Sequence, residues 1–384
     1  MNRRNFLRTI GGTGLVLAAT AGGLSQCDQM PTEAIQGWNG PVNSITDREW
    51  LLSYALLAPN PHNMQAWIAD LRVEDQIILF ADKDRLLPDT DPFSRQVMIG
   101  QGTFLELLSI AASARGYQAN VHLFPEGTPD EMELDISTVP IARIELVKNE
   151  NIAADPLFSA ILHRRSNKEG YRELALSEDH KAELLKLPLS GDHSVQIYHD
   201  KDEVEELRTF AKQAMLLEIE TPRTLKESVD RTRIGADAIV KYRDGIDLNG
   251  PMFWWLSRFD LMSKEKAMTP GTLAYQGGID YALGWVNKTY SMGILSSPTN
   301  SREDQIIAGR NYVRLNLLAT SIGVAMHPVS QILQEYPEMQ TLQSDFYSHL
   351  GVRAPETIQM FFRIGYQSKP SPSPRRPLQD IVRA

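Results

Sequence analysis

The sequence has one cysteine, Cys27, in 384 residues. A single thiol excludes an intrachain disulfide framework and any thiolate-based zinc or iron-sulfur centre, so redox chemistry here needs a borrowed cofactor. The 8 histidines are scattered, with neither H-x-x-x-H nor H-E-x-x-H spacing, and nothing in the pattern supports a metal site. A G-x-S-x-G elbow is missing too, which leaves hydrolase and thiol mechanisms without a motif. Positive charge is short: a formal net charge of -9 argues against general nucleic-acid binding. What is there is a globular composition, 42% hydrophobic and 23% charged, long enough for one large core or for two halves of ordinary domain size.

The three arginines among the first ten residues stand apart from this acidic body. Asn2 to Thr9 resembles a twin-arginine export motif, matched at Arg3, Arg4, Phe6 and Leu7. The uncharged stretch from Ile10 to Leu24 is, at about 15 residues, short for a membrane span and reads as the apolar region of a signal peptide. Gly11, Gly12, Gly14, Gly22 and Gly23 argue against a core helix there. Its G-x-G spacing is not a nucleotide loop, since no strand precedes it. Cleavage after Ala19-Thr20-Ala21 is one reading. The other is a lipobox at Leu24-Ser25-Gln26-Cys27, in which Gln26 departs from the expected small residue and a lipid on Cys27 tethers the protein to a membrane. Either way the expectation is a signal peptide over 1–27, the twin-arginine translocase as partner, and a periplasmic or otherwise extracytoplasmic location, free or membrane-anchored.

Residues 28–46 hold Pro31, Gly37, Gly40 and Pro41 and read as a linker or an arm over the body. Asp47 opens an amphipathic helix that should end before Pro59. Strand-like runs follow at Ala66 to Val73 and Gln76 to Ala81, then a helical segment through Gly102 and Gly116, and strand-like runs at Ala119 to Phe124 and Val139 to Val147. The helical pattern returns at Gly309 to Gly323 with the same glycine spacing; Leu108 then aligns with Leu315, Ile110 with Leu317, Ala112 with Ala319 and Ser113 with Thr320, a weak internal repeat. We therefore divide the body into halves at 47–150 and 151–384. Residues 217–301, rich in Trp, Tyr, Gly and Pro, fit no compact repeat and read as an insertion, either a lid or a cover for a core edge. The tail from Ser368 to Pro377 is a disordered end or an arm pinned by an anion.

Three segments carry a resemblance. Ala58 to Trp67 resembles the nitroreductase loop P-S-S-x-N-x-Q-P-W at Pro59, Asn63, Gln65 and Trp67, and departs from it at Asn60, Pro61 and Ala66. His163-Arg164-Arg165-Ser166-Asn167-Lys168 resembles the basic stretch that opens nitroreductase domains. Phe361 to Tyr366, with Pro374-Arg375-Arg376-Pro377-Leu378, resembles their last strand and C-terminal arm, and Gly323 to Gln331 resembles the loop after their long helix. The resemblance implies an α+β nitroreductase fold, each half a mostly antiparallel sheet packed by helices, with FMN as cofactor. It implies that Pro59, Asn63 and Gln65 frame the flavin, the two amides reading a ring edge or ribityl hydroxyls. If 164–168 is extended, Arg164, Ser166 and Lys168 share a face, with Arg165 beside them. Arg would fork onto phosphate, Ser would bond ribityl or phosphate oxygens, and Lys would sit at the N1/O2 edge. Arg376 is the choice for the returning phosphate ligand, Arg375 the reserve.

In homodimeric nitroreductases the loop comes from one subunit and the basic segments from the other. Here the loop is in the first half and the basic segments are in the second. The pattern resembles the fused flavoproteins of the mycobacterial Acg group, with one composite site per chain and a homodimer allowed but not required. The implied activity is hydride transfer from NAD(P)H through flavin N5 to a small-molecule acceptor such as a nitroaromatic or a quinone, with ping-pong kinetics and no protein catalytic residue. The rival reading is flavin binding or storage without turnover. His62 and His327 stand out only by their neighbourhood.

Overall fold

The computed structural model describes residues 29–41, 45–149, 151–259 and 261–383. The export motif and Cys27 lie outside the described residues. The first half runs α1 (Asp47–Ala55), β1 (Trp67–Asp70), β2 (Gln76–Ala81), α2 (Arg95–Ala114), β3 (Tyr117–Leu123) and β4 (Ala142–Lys148). The second opens with α3 (Glu178–Leu185), β5 (Ser194–Tyr198), α4 (Lys201–Glu220) and α5 (Pro222–Asp230). A two-stranded ribbon of β6 (Thr232–Ile234) and β7 (Ile246–Leu248) follows, with α6 (Ala236–Tyr242) between its strands. Then come α7 (Pro251–Arg258), α8 (Lys264–Ala267), α9 (Leu273–Asn287), β8 (Met292–Ser297), α10 (Arg302–Ser321), β9 (Ala325–Pro328), α11 (Gln340–Leu350), β10 (Thr357–Gly365) and β11 (Val382–Arg383).

Local chemistry explains the boundaries. Thr46 and Glu49 form a reciprocal capping box at the start of α1, with Asp47 in its first turn. Gly116 and Gly323, at φ +74° and +75°, reverse the chain after α2 and α10 into β3 and β9. In β2 every second side chain is buried, the mark of a sheet with one covered face. In β8 all six residues are buried, because α4, α9 and α11 cover one face of its sheet and α10 the other.

The fold is α+β. One sheet has the order β11-β1-β2-β4-β3 and the other β5-β8-β10-β9; every pairing in them is antiparallel except β1 with β11. Taking β1, β2, helix, β3, β4 beside β5, β8, helix, β9, β10 gives the same strand order twice. The two helices α2 and α10 cross between the sheets at their glycines. A Cβ on Gly102 would stand 2.0 Å from the carbonyl oxygen of Ile306, and one on Gly309 would stand 2.0 Å from that of Ile99. This reciprocity, each glycine against the residue three before the other, is the contact expected of a local two-fold. It also explains why α2 is long and apolar enough to cross a membrane although 83% of that stretch is buried: it is core to both halves.

Two sequence-based boundaries shift. Residues 217–301 are not one insertion, since β8 is an interior strand and α9 packs on α4 over the second sheet; the excursion is 222–272, between α4 and α9. Val382, within the range given to the second half, pairs with Ala69 of β1, so the chain closes by returning to the first sheet.

Candidate functional site between the halves

The loop after α1 carries unusual backbone. His62, Asn63 and Gln65 have φ of 46°, 53° and 54°, three left-handed non-glycine residues in four, a conformation that persists only where surrounding contacts impose it. Those contacts come from the tail. Asn63 Nδ2 donates to the carbonyls of Pro374 (3.1 Å) and Gly245 (3.3 Å), and its Oδ1 accepts from Arg375 Nη1 at 2.7 Å. Gln65 Nε2 donates to the carbonyls of Asn63 and Arg243, and its Oε1 accepts from the Arg376 amide at 2.8 Å. Both amides are thus committed to protein partners. They staple the loop, the tail and the 243–245 turn together. Pro59 is buried and its carbonyl accepts from Thr103 Oγ1, so it ends α1 and anchors the loop on α2.

Three arginines gather beside this staple. Arg164 donates to the Leu57 carbonyl (2.9 Å) and to Asn316 Oδ1 (3.2 Å); Arg375 reaches the same Leu57 carbonyl at 3.3 Å; Arg165 bonds the carbonyls of Leu162 and Arg164. Their guanidinium carbons stand 5.6, 5.0 and 4.0 Å from the ring of Trp38, respectively for Arg164, Arg375 and Arg165. Trp38 belongs to the 28–46 segment, whose described residues 29–41 are bonded to the tail: its indole N–H donates to the Ser373 carbonyl, and the Ala34 carbonyl accepts from the Arg375 amide. Among the described residues none of the three arginines has a carboxylate at ion-pair distance, and each keeps a buried Nε without a partner. Burial lowers Arg164 and Arg165 to about 10, and it lowers Arg375 well below the ordinary guanidinium value, with the charges of Arg164 and Arg165 adding to the effect. Among the described residues Asp247 is the one carboxylate whose charge acts on the cluster, on Arg375 and from beyond ion-pair distance; three buried cations with no paired acid suit an anion with several acceptor oxygens, such as phosphate.

Arg376, the first choice for this role, is used elsewhere. It pairs with Asp82 at 3.3 Å and donates to the carbonyls of Gln65 and Asp380. The carboxylate neutralises it, and Arg375 takes its place in the cationic cluster.

The basic segment continues to a second end. Ser166 pairs in parallel with Met326 and the Asn167 amide donates to the Met326 carbonyl, so the segment lies along β9. Arg164 and Arg165 both reach Trp38, and the charge of Lys168 acts on His62 and His327, one imidazole from each half. His62 falls to about 4, through burial first and then the charges of Lys168 and Arg231. His327 is held well below its ordinary value by burial, Arg363 and Lys168. Sequence reasoning passed over Arg363 and Trp38. The signal for Arg363 was a charge inside an apolar strand, Phe361-Phe362-Arg363-Ile364; for Trp38 it was a lone large aromatic in a Gly/Pro-rich arm.

The 222–272 excursion closes the near side. The Gly245 amide donates to the Asn63 carbonyl, and Asp244, 3% exposed, binds both Arg233 of the ribbon and Arg85 of the first half. Glu227 of α5 accepts from the amide and hydroxyl of Thr90. The region therefore contacts the loop at 63–65 and the first half at Arg85 and Thr90.

No family model matches the chain. It is 22% identical to an uncharacterized protein of Mycobacterium tuberculosis over 85% of this chain and 90% of that one. A second M. tuberculosis protein, named as an NAD(P)H nitroreductase, is 24% identical over 86% of this chain and 90% of its own. The M. tuberculosis protein named as the NAD(P)H nitroreductase acg is 34% identical over 122 residues, 31% of this chain and 34% of its own. Among solved structures, an FMN-dependent nitroreductase of Mycobacterium smegmatis in complex with NADPH is similar at a TM-score of 0.37 and 16% identity, covering 59% of this chain and 96% of its own. A Bacteroides fragilis nitroreductase with bound FMN is similar at a TM-score of 0.31 and 15% identity, covering 56% and 91%.

Proposed function

We infer that this chain is an FMN-binding oxidoreductase of nitroreductase type, a fused pair of related halves with one flavin site between them. The observation that carries the reading is the buried cluster of Arg164, Arg165 and Arg375, in which no arginine is paired with a carboxylate among the described residues and which lies beside a strained loop of the other half. The names of the relatives support it. In this reading the three guanidiniums hold the FMN phosphate, Ser166 serves the ribityl chain, and Lys168 stabilises negative charge on the ring's pyrimidine edge. Asn63 and Gln65 act at one remove, by fixing Arg375 and the tail. When bound, FMN would supply two-electron chemistry at N5, taking hydride from NAD(P)H and passing it to an electrophile such as a nitroaromatic or a quinone. The protein's own residues bind, orient and exclude water; none need form a covalent bond. The internal duplication, like the cofactor, is part of this proposal, and so is export by the twin-arginine route with or without lipid on Cys27.

A second reading, flavin retention without turnover, draws on the closure of the site: Trp38 covers the arginines and the 243–245 turn is bonded to the loop. One experiment separates the two. The absorption spectrum of protein lacking residues 1–27 is followed anaerobically as NADPH, NADH and then dithionite are added. Bleaching of a yellow protein by a nicotinamide supports the reductase; bleaching by dithionite alone supports retention. A colourless protein that takes up no added FMN removes the cofactor from both.

A further inference from the structure

Arg363 lies in β10, with no exposed surface, between the rings of Tyr171 and Trp285, whose centroids are 4.3 and 4.8 Å from its guanidinium carbon. Two of its nitrogens are fixed on the Asn167 carbonyl (2.7 Å) and the Trp285 carbonyl (3.1 Å). The third, Nε, donates to His327 Nδ1 at 3.0 Å. Guanidinium has no acceptor, so Nδ1 must carry its lone pair, and a neutral imidazole then has its proton on Nε2. The strand register places His327 directly opposite Arg363, and the ring of Trp285 meets the imidazole edge-on at 4.9 Å. Nε2 has no partner among the described residues, and the ring is only partly buried. The charged groups acting on His327 are Arg363 and Lys168, both cations.

We propose that Arg363 is a positioning residue that makes His327 a permanent single hydrogen-bond donor, which with Lys168 forms a donor-only edge selecting a ligand edge of carbonyl or anionic heteroatom type. The proposal rests on the flavin reading for the ligand's identity, an oxidised isoalloxazine edge being of that class, but the ring's tautomer does not depend on it. His327 in this arrangement polarises and orients; it does not shuttle protons.

Nitrogen NMR of histidine-labelled protein, with His327 assigned by the loss of its signals in His327→Gln, reads the tautomer directly. The expected ring has a protonated Nε2 and a bare Nδ1 throughout the range where an ordinary histidine titrates, from about pH 5.5 to 8. A ring that is protonated on Nδ1, or that titrates in this range, overturns the proposal in the wild-type protein itself. In Arg363→Lys the ring should become a tautomer mixture. FMN affinity supplies the second readout. His327→Leu should weaken it about tenfold, the value of roughly one hydrogen bond, and His327→Gln less than about threefold. Arg363→Lys should weaken it only by the fraction of the ring lost to the other tautomer, about two- to threefold, and the double variant should be no weaker than His327→Leu alone. Losses that multiply would show that Arg363 acts on its own account and would overturn its positioning role. Wild-type protein that takes up no FMN would instead overturn the flavin reading, and the donor would stand or fall on the NMR.

Discussion

Arg375 and Arg376 are neighbours in sequence with different chemistry, because Arg375 sits with two other cations and no carboxylate at ion-pair distance, whereas Arg376 is paired with Asp82. Arg375→Gln should weaken FMN binding about a hundredfold, the loss of a charge-assisted pair to phosphate, measured by flavin fluorescence quenching. Arg376→Gln should change that affinity by less than about threefold and lower thermal stability instead. Equal losses of affinity would contradict the assignment. His62 gives a pH prediction. Its folded value is about 4 against an ordinary 6.5, so between these limits the unfolded chain binds the extra proton. Stability is therefore fully present above about pH 6.5 and declines as pH falls toward 4. Asparagine tolerates the left-handed φ of 46° and has no proton to gain. His62→Asn should therefore flatten the acid limb of the denaturant midpoint against pH, and an unchanged limb would rule His62 out as its source.

At the scale of elements the decisive contact is between α2 and α10. Alanine at Gly102 or Gly309 would drive a methyl group into a carbonyl oxygen of the facing helix, and backbone cannot give way as a flexible side chain can. We expect each substitution to cost at least about 3 kcal/mol, at the upper end of overpacking effects, read from urea midpoints. A loss below about 1 kcal/mol at both sites would mean that the helices do not cross there. The glycine spacing was legible in the sequence as a repeat. What it could not say was that the repeated positions touch each other, because a small residue on an apolar helix is equally at home against any close neighbour.

The whole molecule places the loop, the basic segment and the tail at one seam, all within a single chain. One FMN per chain is therefore expected, with affinity independent of protein concentration, since no second subunit is needed to complete the cluster. Cofactor content by native mass spectrometry, compared with oligomeric state over a range of dilution, checks this. Two flavins per chain, or flavin loss that tracks dissociation, would contradict it. The loop between α3 and β5, at 186–193, occupies the topological place of the 56–66 loop, and its sequence, Lys186 to His193, has none of the Asn and Gln pattern.

By itself the sequence determined the elements and the candidates: capping residues, periodicity and glycine spacing fix local conformation, and the basic and amide motifs are contiguous. It could not assign the arginines, because which guanidinium meets a carboxylate depends on partners some 300 residues away, Asp82 for Arg376 and Trp38 for Arg375. Nor could it separate body from excursion within 217–301, since an interior strand such as β8 and an exposed apolar run read alike until a sheet covers one of them. Those choices belong to tertiary structure, where burial makes each cation's partner a question of distance.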